Sequence, residues 1–109
     1  MKKVEEGRLL RVFVGENHRF KDMPLFEAII HKAKDAGLGG TTILKGIEGF
    51  GSHGKIHTIR VLRVAEDMPI VIEIVDTPEK IDSFLPLLDE MMQEGIVTIE
   101  DVKVIKYSQ

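Results

Sequence analysis

The 109-residue sequence contains no cysteine, and aromatic residues make up only 6% of it. Without cysteine, the chain has no disulfide scaffold, no thiol nucleophile and no cysteine-bound zinc or iron–sulfur site. It also lacks a long apolar run near its start, because glutamates and arginines interrupt residues 1–14. That stretch is too polar for a signal sequence or a membrane span, so we expect a cytoplasmic protein.

Positive charge is not in excess either, with 15 Lys and Arg residues against 18 Asp and Glu residues and a formal net charge of -3. This balance argues against broad affinity for nucleic acids or anionic membranes. The 43% of hydrophobic and 30% of charged residues are typical of a globular protein rather than a disordered one. The length predicts a single domain over residues 1–109.

Hydrophobic periodicity predicts four strands and two helices. Their order is strand 8–15, a helix from Pro24 to a stop at Gly37, strand 41–48 with Gly46 as an irregularity, strand 69–76, a helix from Pro78 that ends before Gly95, and strand 97–107. Residues 57–64 fit either a strand or an ordered loop. Pro86 removes one hydrogen bond from the second helix, which predicts a kink or a short first segment.

This element order predicts an α+β ferredoxin-like fold, βαββαβ, with an antiparallel sheet and both helices on one face. The strands carry Ile and Val on both sides. The second sheet face is therefore expected to be covered as well, and another subunit is the expected cover in a chain of this length.

The glycine-rich residues 49–54 match G-x-G-x-x-G, but a dinucleotide site needs a helix directly afterwards, and residues 57–64 are β-branched. Residues 49–55 match G-x-x-x-x-G-K, yet Ile56 stands where a P-loop needs a hydroxyl. Clustered glycines still allow backbone N–H groups to converge on an anion. An ordinary hairpin loop is the alternative interpretation.

Residues 12–15 and 49–51 resemble pieces of an RNA-recognition motif. That motif needs its second aromatic signature within the third strand and further rings for stacking bases, whereas only one helix and one strand precede Phe50. Since aromatic residues are few and the net charge is negative, we expect Phe13 to lie in the core. An RNA-binding ferredoxin-like module remains an alternative.

A closer resemblance covers the chain from about Leu9 to Tyr107. Residues 37–43 and 48–51 resemble the second strand and T-loop base of the nitrogen-regulatory PII signalling proteins. The whole chain resembles the PII-like family of uncharacterised domains, whose recurring phrases stand here at residues 25–29, 46–51, 74–77 and 84–86.

The resemblance implies a homotrimer that binds an adenine nucleotide, ADP or ATP, or a similar anionic effector between neighbouring subunits. It also implies a T-loop that contacts a target protein, with a membrane transporter as one candidate. The resemblance implies no required cofactor. The nucleotide-binding candidates are Thr41, Thr42, Gly46, Glu48, Gly49, Phe50, Gly51, Ser52, Lys55, Arg60, Arg63 and Lys106.

Among these candidates, Gly49 and Gly51 match the glycines whose backbone meets the phosphates, and Lys106 matches a cationic position in the last strand. Thr41 or Thr42 matches the position near the T-loop base. The three cations at positions 55, 60 and 63 fit charge-assisted phosphate contacts, a solvated surface or a target contact equally well.

The chain departs from the PII pattern at two places. Residues 94–98 replace the second glycine-rich phosphate loop after helix two, which bears on nucleotide affinity and identity. No tyrosine lies between Gly49 and Met68, and the only tyrosine is Tyr107. We therefore expect no regulation through a modified T-loop tyrosine.

No acid, base and nucleophile converge in the pattern, and Ser52 and His53 are merely adjacent, so we predict no catalytic residues and no enzyme. A metal-binding trimer like the CutA proteins is a further alternative, based on His53 and His57. In an extended loop that spacing does not bring two imidazoles together, and we predict no metal site.

Overall fold

The computed structural model describes residues 1–49, 57–58 and 67–109. Its main elements are β1 (Lys2–Gly15), α1 (Leu25–Asp35), β2 (Gly40–Lys45), β3 (Pro69–Asp76), α2 (Pro78–Met91) and β4 (Ile96–Tyr107). Two-residue strands form two further pairs, Arg19–Phe20 with Met23–Pro24 and Glu48–Gly49 with His57–Thr58.

The four long strands form one sheet in the order β2-β3-β1-β4, with every neighbouring pair antiparallel. The central strand β1 places Leu10 opposite Ile74 of β3 and opposite Ile99 of β4. This arrangement confirms the predicted ferredoxin-like α+β fold.

The core lies between the sheet and the two helices. Alternate residues of β1 and β3 point toward the helices, because successive side chains of a strand face opposite sides. The largest fully buried side chains are Phe84, Leu10, Ile29, Ile72, Ile74, Ile81, Leu88 and Val12. Both helices therefore cover the same face, as predicted.

Local signals explain where the helices begin. Thr77 caps α2, since its hydroxyl accepts a hydrogen bond from the Lys80 N–H at 3.2 Å and Pro78 occupies the first turn. Helix α1 follows Pro24, and Gly37 beyond its end has a φ of 76°. Helix α2 is assigned as one helix through Pro86, so the predicted short first segment is not observed.

The opposite face of the sheet, which we term the open face, is not covered by any helix of the described chain. Phe13 lies on it, 38% exposed, because Val12 and Val14 occupy the two neighbouring positions that point into the core. The prediction of Phe13 as a core residue was wrong for this reason. Exposed apolar residues on the same face include Leu44, Val75 and Ile96.

Two strands differ in length from the prediction. β1 begins at Lys2, and residues 2–7 pair with the end of β4 although they contain two lysines, two glutamates and only one large apolar residue, Val4. Strand β2 ends at Lys45 instead of residue 48. Of residues 57–64, only His57 and Thr58 are described, and both are in a strand.

Among the residues that the structure describes, no helix has the length and apolar character needed to cross a membrane.

Candidate functional site

The glycine-rich segment leaves the sheet at the end of β2. The Gly46 N–H donates to the carbonyl oxygen of Pro69 at 2.7 Å, directly after the last residue of β2. A Cβ atom at Gly46 would lie 2.6 Å from Cγ of Pro69, so no side chain fits there without a shift. The close approach of the Gly46 backbone to the Pro69 ring therefore accounts for glycine at this predicted site position.

Within the segment, the described residues Glu48–Gly49 pair antiparallel with His57–Thr58, and Gly49 stands opposite His57. The predicted site residues that lie outside the described part of the chain are Phe50, Gly51, Ser52, Lys55, Arg60 and Arg63. His53 of the metal hypothesis lies outside it too. The roles assigned to these residues stay predictions.

A turn over residues 15–18, between β1 and α1, holds the returning end of the segment. The Glu16 N–H donates to the Met68 carbonyl oxygen at 2.8 Å, and the Asn17 N–H donates to Oδ1 of Asp67 at 2.7 Å. Asp67 and Met68 directly precede β3, so this turn positions the point where the segment re-enters the sheet.

The same turn also contacts the outgoing end. Nζ of Lys45, the last residue of β2, lies 2.9 Å from Oε2 of Glu16. Both ends of the glycine-rich segment are thus attached to residues 15–18. Sequence reasoning missed Glu16 and Asp67, because their partners lie 29 and 50 positions away and no local spacing indicates such contacts.

The two candidate threonines of β2 face opposite sides of the sheet. Thr41 stands opposite Ile74, whose side chain is fully buried under the helices, whereas Thr42 stands opposite Glu73 on the open face. Alternation along a strand makes the two positions mutually exclusive. Thr42 is the one that a ligand on the open face would meet.

Lys106 lies at the other end of the molecule. It stands opposite Lys3 in the β1–β4 ladder, whereas Pro69, which binds Gly46, stands opposite Gly15. Residues 3 and 15 of β1 are about 40 Å apart at roughly 3.3 Å per residue. Within one chain, the structure therefore does not bring Lys106 to the base of the glycine-rich segment.

Lys106 is paired with Glu5 on the neighbouring strand, with Nζ and Oε1 separated by 2.8 Å. This hydrogen bond raises the pKa of Lys106, and the same bond lowers the pKa of Glu5. Both shifts favour the charged forms of the pair.

A small cleft opens next to Lys106. The carboxylate of Asp76 accepts hydrogen bonds from the N–H groups of Gly39, at 2.6 Å, and Thr77, at 2.7 Å, and so joins the approach to β2 to the start of α2. The cleft is lined by Glu5, Glu6, Gly39, Gly40, Val75, Asp76, Thr77, Val104 and Lys106. Of these, the sequence had identified only Lys106 as a site candidate.

An ion-pair cluster occupies the middle of the open face. Nε of Arg11 lies 2.8 Å from Glu73 of β3, and Nη1 lies 3.2 Å from Glu100 of β4. The hydrogen bond with Glu73 is the main cause that raises the pKa of Arg11. The cluster crosses three strands and places a charged centre among the exposed apolar side chains.

Within residues 1–49, 57–58 and 67–109, no group of three His, Cys, Asp or Glu side chains is arranged to hold a metal ion. This finding does not extend to His53, so the metal hypothesis for His53 and His57 is not tested.

A ferredoxin-like sheet, two helices on one face and a long glycine-rich segment between β2 and β3 define a PII-like fold. The chain belongs to the DUF190 family, described as "Uncharacterized ACR, COG1993", which matches residues 7–104. A UPF0166 protein of Aquifex aeolicus (strain VF5) is 34% identical over 103 residues, covering 94% of this chain and 97% of the relative. A UPF0166 protein of Methanocaldococcus jannaschii is 30% identical over 102 residues, covering 93% and 94%.

Solved structures share the fold. CPII of Thiomonas intermedia K12, a nitrogen regulatory PII-like protein bound to ADP, AMP and bicarbonate, has a TM-score of 0.64 at 23% identity, covering 94% of this chain and 91% of CPII. The complex of Bacillus subtilis GlnK with ATP has a TM-score of 0.58 at 10% identity, covering 89% and 82%. These similarities confirm the PII-like fold predicted from the sequence phrases.

Proposed function

We propose that this protein is a PII-like regulator that binds ADP, ATP or a similar anionic effector between the subunits of a homotrimer. The observation that carries the proposal is the separation of Lys106 from the base of the glycine-rich segment, about 40 Å along β1. One chain does not present both to a single ligand, so the proposed site requires two neighbouring chains. The shared fold with CPII, which binds ADP and AMP, supports the choice of ligand.

The proposed site combines backbone donors from one subunit with a cation from the next. The N–H groups of Gly49 and Gly51 face the phosphates, because glycine lets the backbone approach an anion without obstruction. Lys106 of the neighbour adds a charge-assisted hydrogen bond. Glu5 holds this ammonium in place, and an incoming phosphate exchanges with the Glu5 carboxylate for it.

The proposed homotrimer covers the open face. Leu44 and Ile96 are 48% and 64% exposed there in the single chain, and burial of such apolar surface favours association. The trimer is made of PII-like units that each span residues 1–109. Ligand binding then alters the T-loop equivalent, which contacts a target protein in the cytoplasm, and the protein itself catalyses no reaction. A membrane transporter is one candidate target.

Light scattering and a thermal-shift screen of adenine nucleotides test the proposal. We expect the mass of a trimer and an increase in melting temperature with ADP or ATP. A ligand at a hundredfold excess over its dissociation constant stabilises the folded state by about 2.7 kcal/mol, which a thermal shift readily detects. A monomer whose melting temperature responds to no nucleotide contradicts the proposal.

Matched variants locate the site. Lys106→Gln is expected to weaken nucleotide binding. Lys103→Gln is its control, because Lys103 lies on the same strand but faces the opposite side of the sheet, where it pairs with Glu6. Equal affinities of wild type and Lys106→Gln would remove Lys106 from the site.

A further inference from the structure

His18 lies where several segments of the chain meet. Its N–H donates to the Gly15 carbonyl oxygen at 3.2 Å, which closes the turn after β1. Its carbonyl oxygen accepts from the N–H of Leu25, the first residue of α1, at 2.7 Å. The backbone of His18 is therefore held from both sides.

The imidazole ring is held as well. Nδ1 accepts a hydrogen bond from the Gly15 N–H at 3.4 Å, which places the ring proton of the neutral form on Nε2. Nε2 lies 3.7 Å from Oδ2 of Asp67 and 3.9 Å from Oε1 of Glu94. One ring thus faces two carboxylates that belong to different segments.

The two carboxylates belong to different segments, and each segment packs against the end of β1. Asp67 accepts from the Asn17 N–H and also packs against Gly15, where an added Cβ would lie 2.2 Å from Oδ2 of Asp67. Glu94 follows α2 and precedes Gly95, whose own added Cβ would lie 2.7 Å from the Phe13 carbonyl oxygen. Both segments consequently pack closely against the end of β1, with His18 between them.

We propose that His18 is a positioning residue that couples the base of the glycine-rich segment, through Asp67, to the segment after α2, through Glu94. Since Nδ1 accepts from the Gly15 N–H, Nε2 has a restricted position, and it lies close to both carboxylates but beyond hydrogen-bonding distance of either. A shift of Asp67 therefore changes the contact with Glu94. The functional consequence rests on the proposed function: effector binding at the glycine-rich segment alters the segment after α2 through this ring.

A double-mutant cycle followed by NMR tests the coupling without any nucleotide. Asp67→Asn is expected to shift the backbone amide resonances of Glu94 and Gly95 in the wild-type background. The same substitution is expected to leave them nearly unshifted in a His18→Asn background, because an Asn amide replaces the Nδ1 acceptor but does not reach Asp67 and Glu94. Equal shifts in both backgrounds would overturn the proposal.

Nucleotide affinity gives a second readout, by calorimetry with ADP and ATP. Relative to the wild type, His18→Asn is expected to weaken binding by roughly threefold to tenfold. His18→Gln, whose amide reaches the position of Nε2, should retain more of the affinity at a similar melting temperature. His31→Gln is the control, because His31 is exposed on α1 and only approaches Glu27 of the same helix.

The two readouts separate two kinds of failure. If the wild type binds no nucleotide while the amide shifts depend on His18, the proposed ligand is wrong and the coupling stands. If nucleotide binds and all three variants match the wild type in affinity, His18 has no positioning role.

Discussion

The ammonium group of Lys106 lies 2.8 Å from the carboxylate of Glu5, on adjacent strands at the end of the sheet remote from the glycine-rich segment. Lys106 itself does not lie near Gly46 of its own chain. Because Lys106 lies far from the base of the glycine-rich segment, the proposed nucleotide site needs residues from two neighbouring subunits. In that proposal, a phosphate that binds Lys106 displaces the carboxylate of Glu5.

Lys106→Gln is predicted to raise the pKa of Glu5 toward its ordinary value, because the hydrogen bond from Lys106 is the main cause that lowers it. A carboxyl with a lowered pKa stabilises the folded state above its ordinary pKa, and that contribution is lost as the pH falls through the lowered value. Carboxyl NMR of Glu5 across the acid range measures the change.

Lys3→Gln is the control for this titration, since Nζ of Lys3 is farther from Glu5, at 3.6 Å, and is a lesser cause of the shift. An unchanged Glu5 titration in Lys106→Gln would mean that the pair does not form in solution.

Arg11→Gln is predicted to dissociate the proposed trimer. The substitution leaves Glu73 and Glu100 without their shared cation on the face that the trimer would bury, and unpaired carboxylates are costly to remove from water. Sedimentation velocity at matched protein concentrations measures the loss of assembly.

Arg19→Gln should leave assembly intact, because Arg19 lies outside the four-stranded sheet and donates to the Asp22 carbonyl oxygen. A fully trimeric Arg11→Gln protein would indicate that the open face is not the contact between subunits.

Thr77→Ala is predicted to reduce the free energy of unfolding by about 1 kcal/mol, because it removes the side-chain cap that accepts from the Lys80 N–H. For a chain of this size the melting temperature should fall by roughly 4–8 °C. Calorimetry at constant protein concentration gives the value, and Thr77→Ser, which keeps the hydroxyl, should lie close to the wild type. Similar losses in both variants would show that the cap is not the cause.

Gly46→Ala is predicted to destabilise the protein by about 1–3 kcal/mol, because its new methyl group would collide with the Pro69 ring. Gly40→Ala is a matched control at the first residue of β2, where an added Cβ meets nothing within 4 Å. Urea denaturation compares the two variants. Equal stability of the two variants would show that the backbone at Gly46 moves away from Pro69 without loss of stability.

Several elements were predictable because their signals are local. The continuous apolar run of β3 and the Thr77-Pro78 start of α2 predicted both elements at their observed positions. Residues 2–7 of β1 were not predicted, because they become a strand by pairing with β4 rather than by an apolar pattern. Cross-strand pairs such as Glu5 with Lys106 stabilise that part.

The candidate site was predictable only in part. The glycines and the cation of the last strand stand out by residue type and by resemblance to the PII proteins. The turn at residues 15–18 did not, since Glu16, His18 and Asp67 carry no motif and acquire their roles from contacts with distant positions. The roles of residues 50–52, 55, 60 and 63 stay predictions.

The sequence by itself determined the fold class, since hydrophobic periodicity, capping residues and turn glycines act between near neighbours. The tertiary structure decided which side each residue faces and what it meets. Thr42 rather than Thr41 lies on the open face, and Phe13 lies there too instead of in the core. Lys106 lies far from the base of the glycine-rich segment. These outcomes depend on strand register, which is set jointly by the buried faces of several strands. The sequence of a single strand does not determine it.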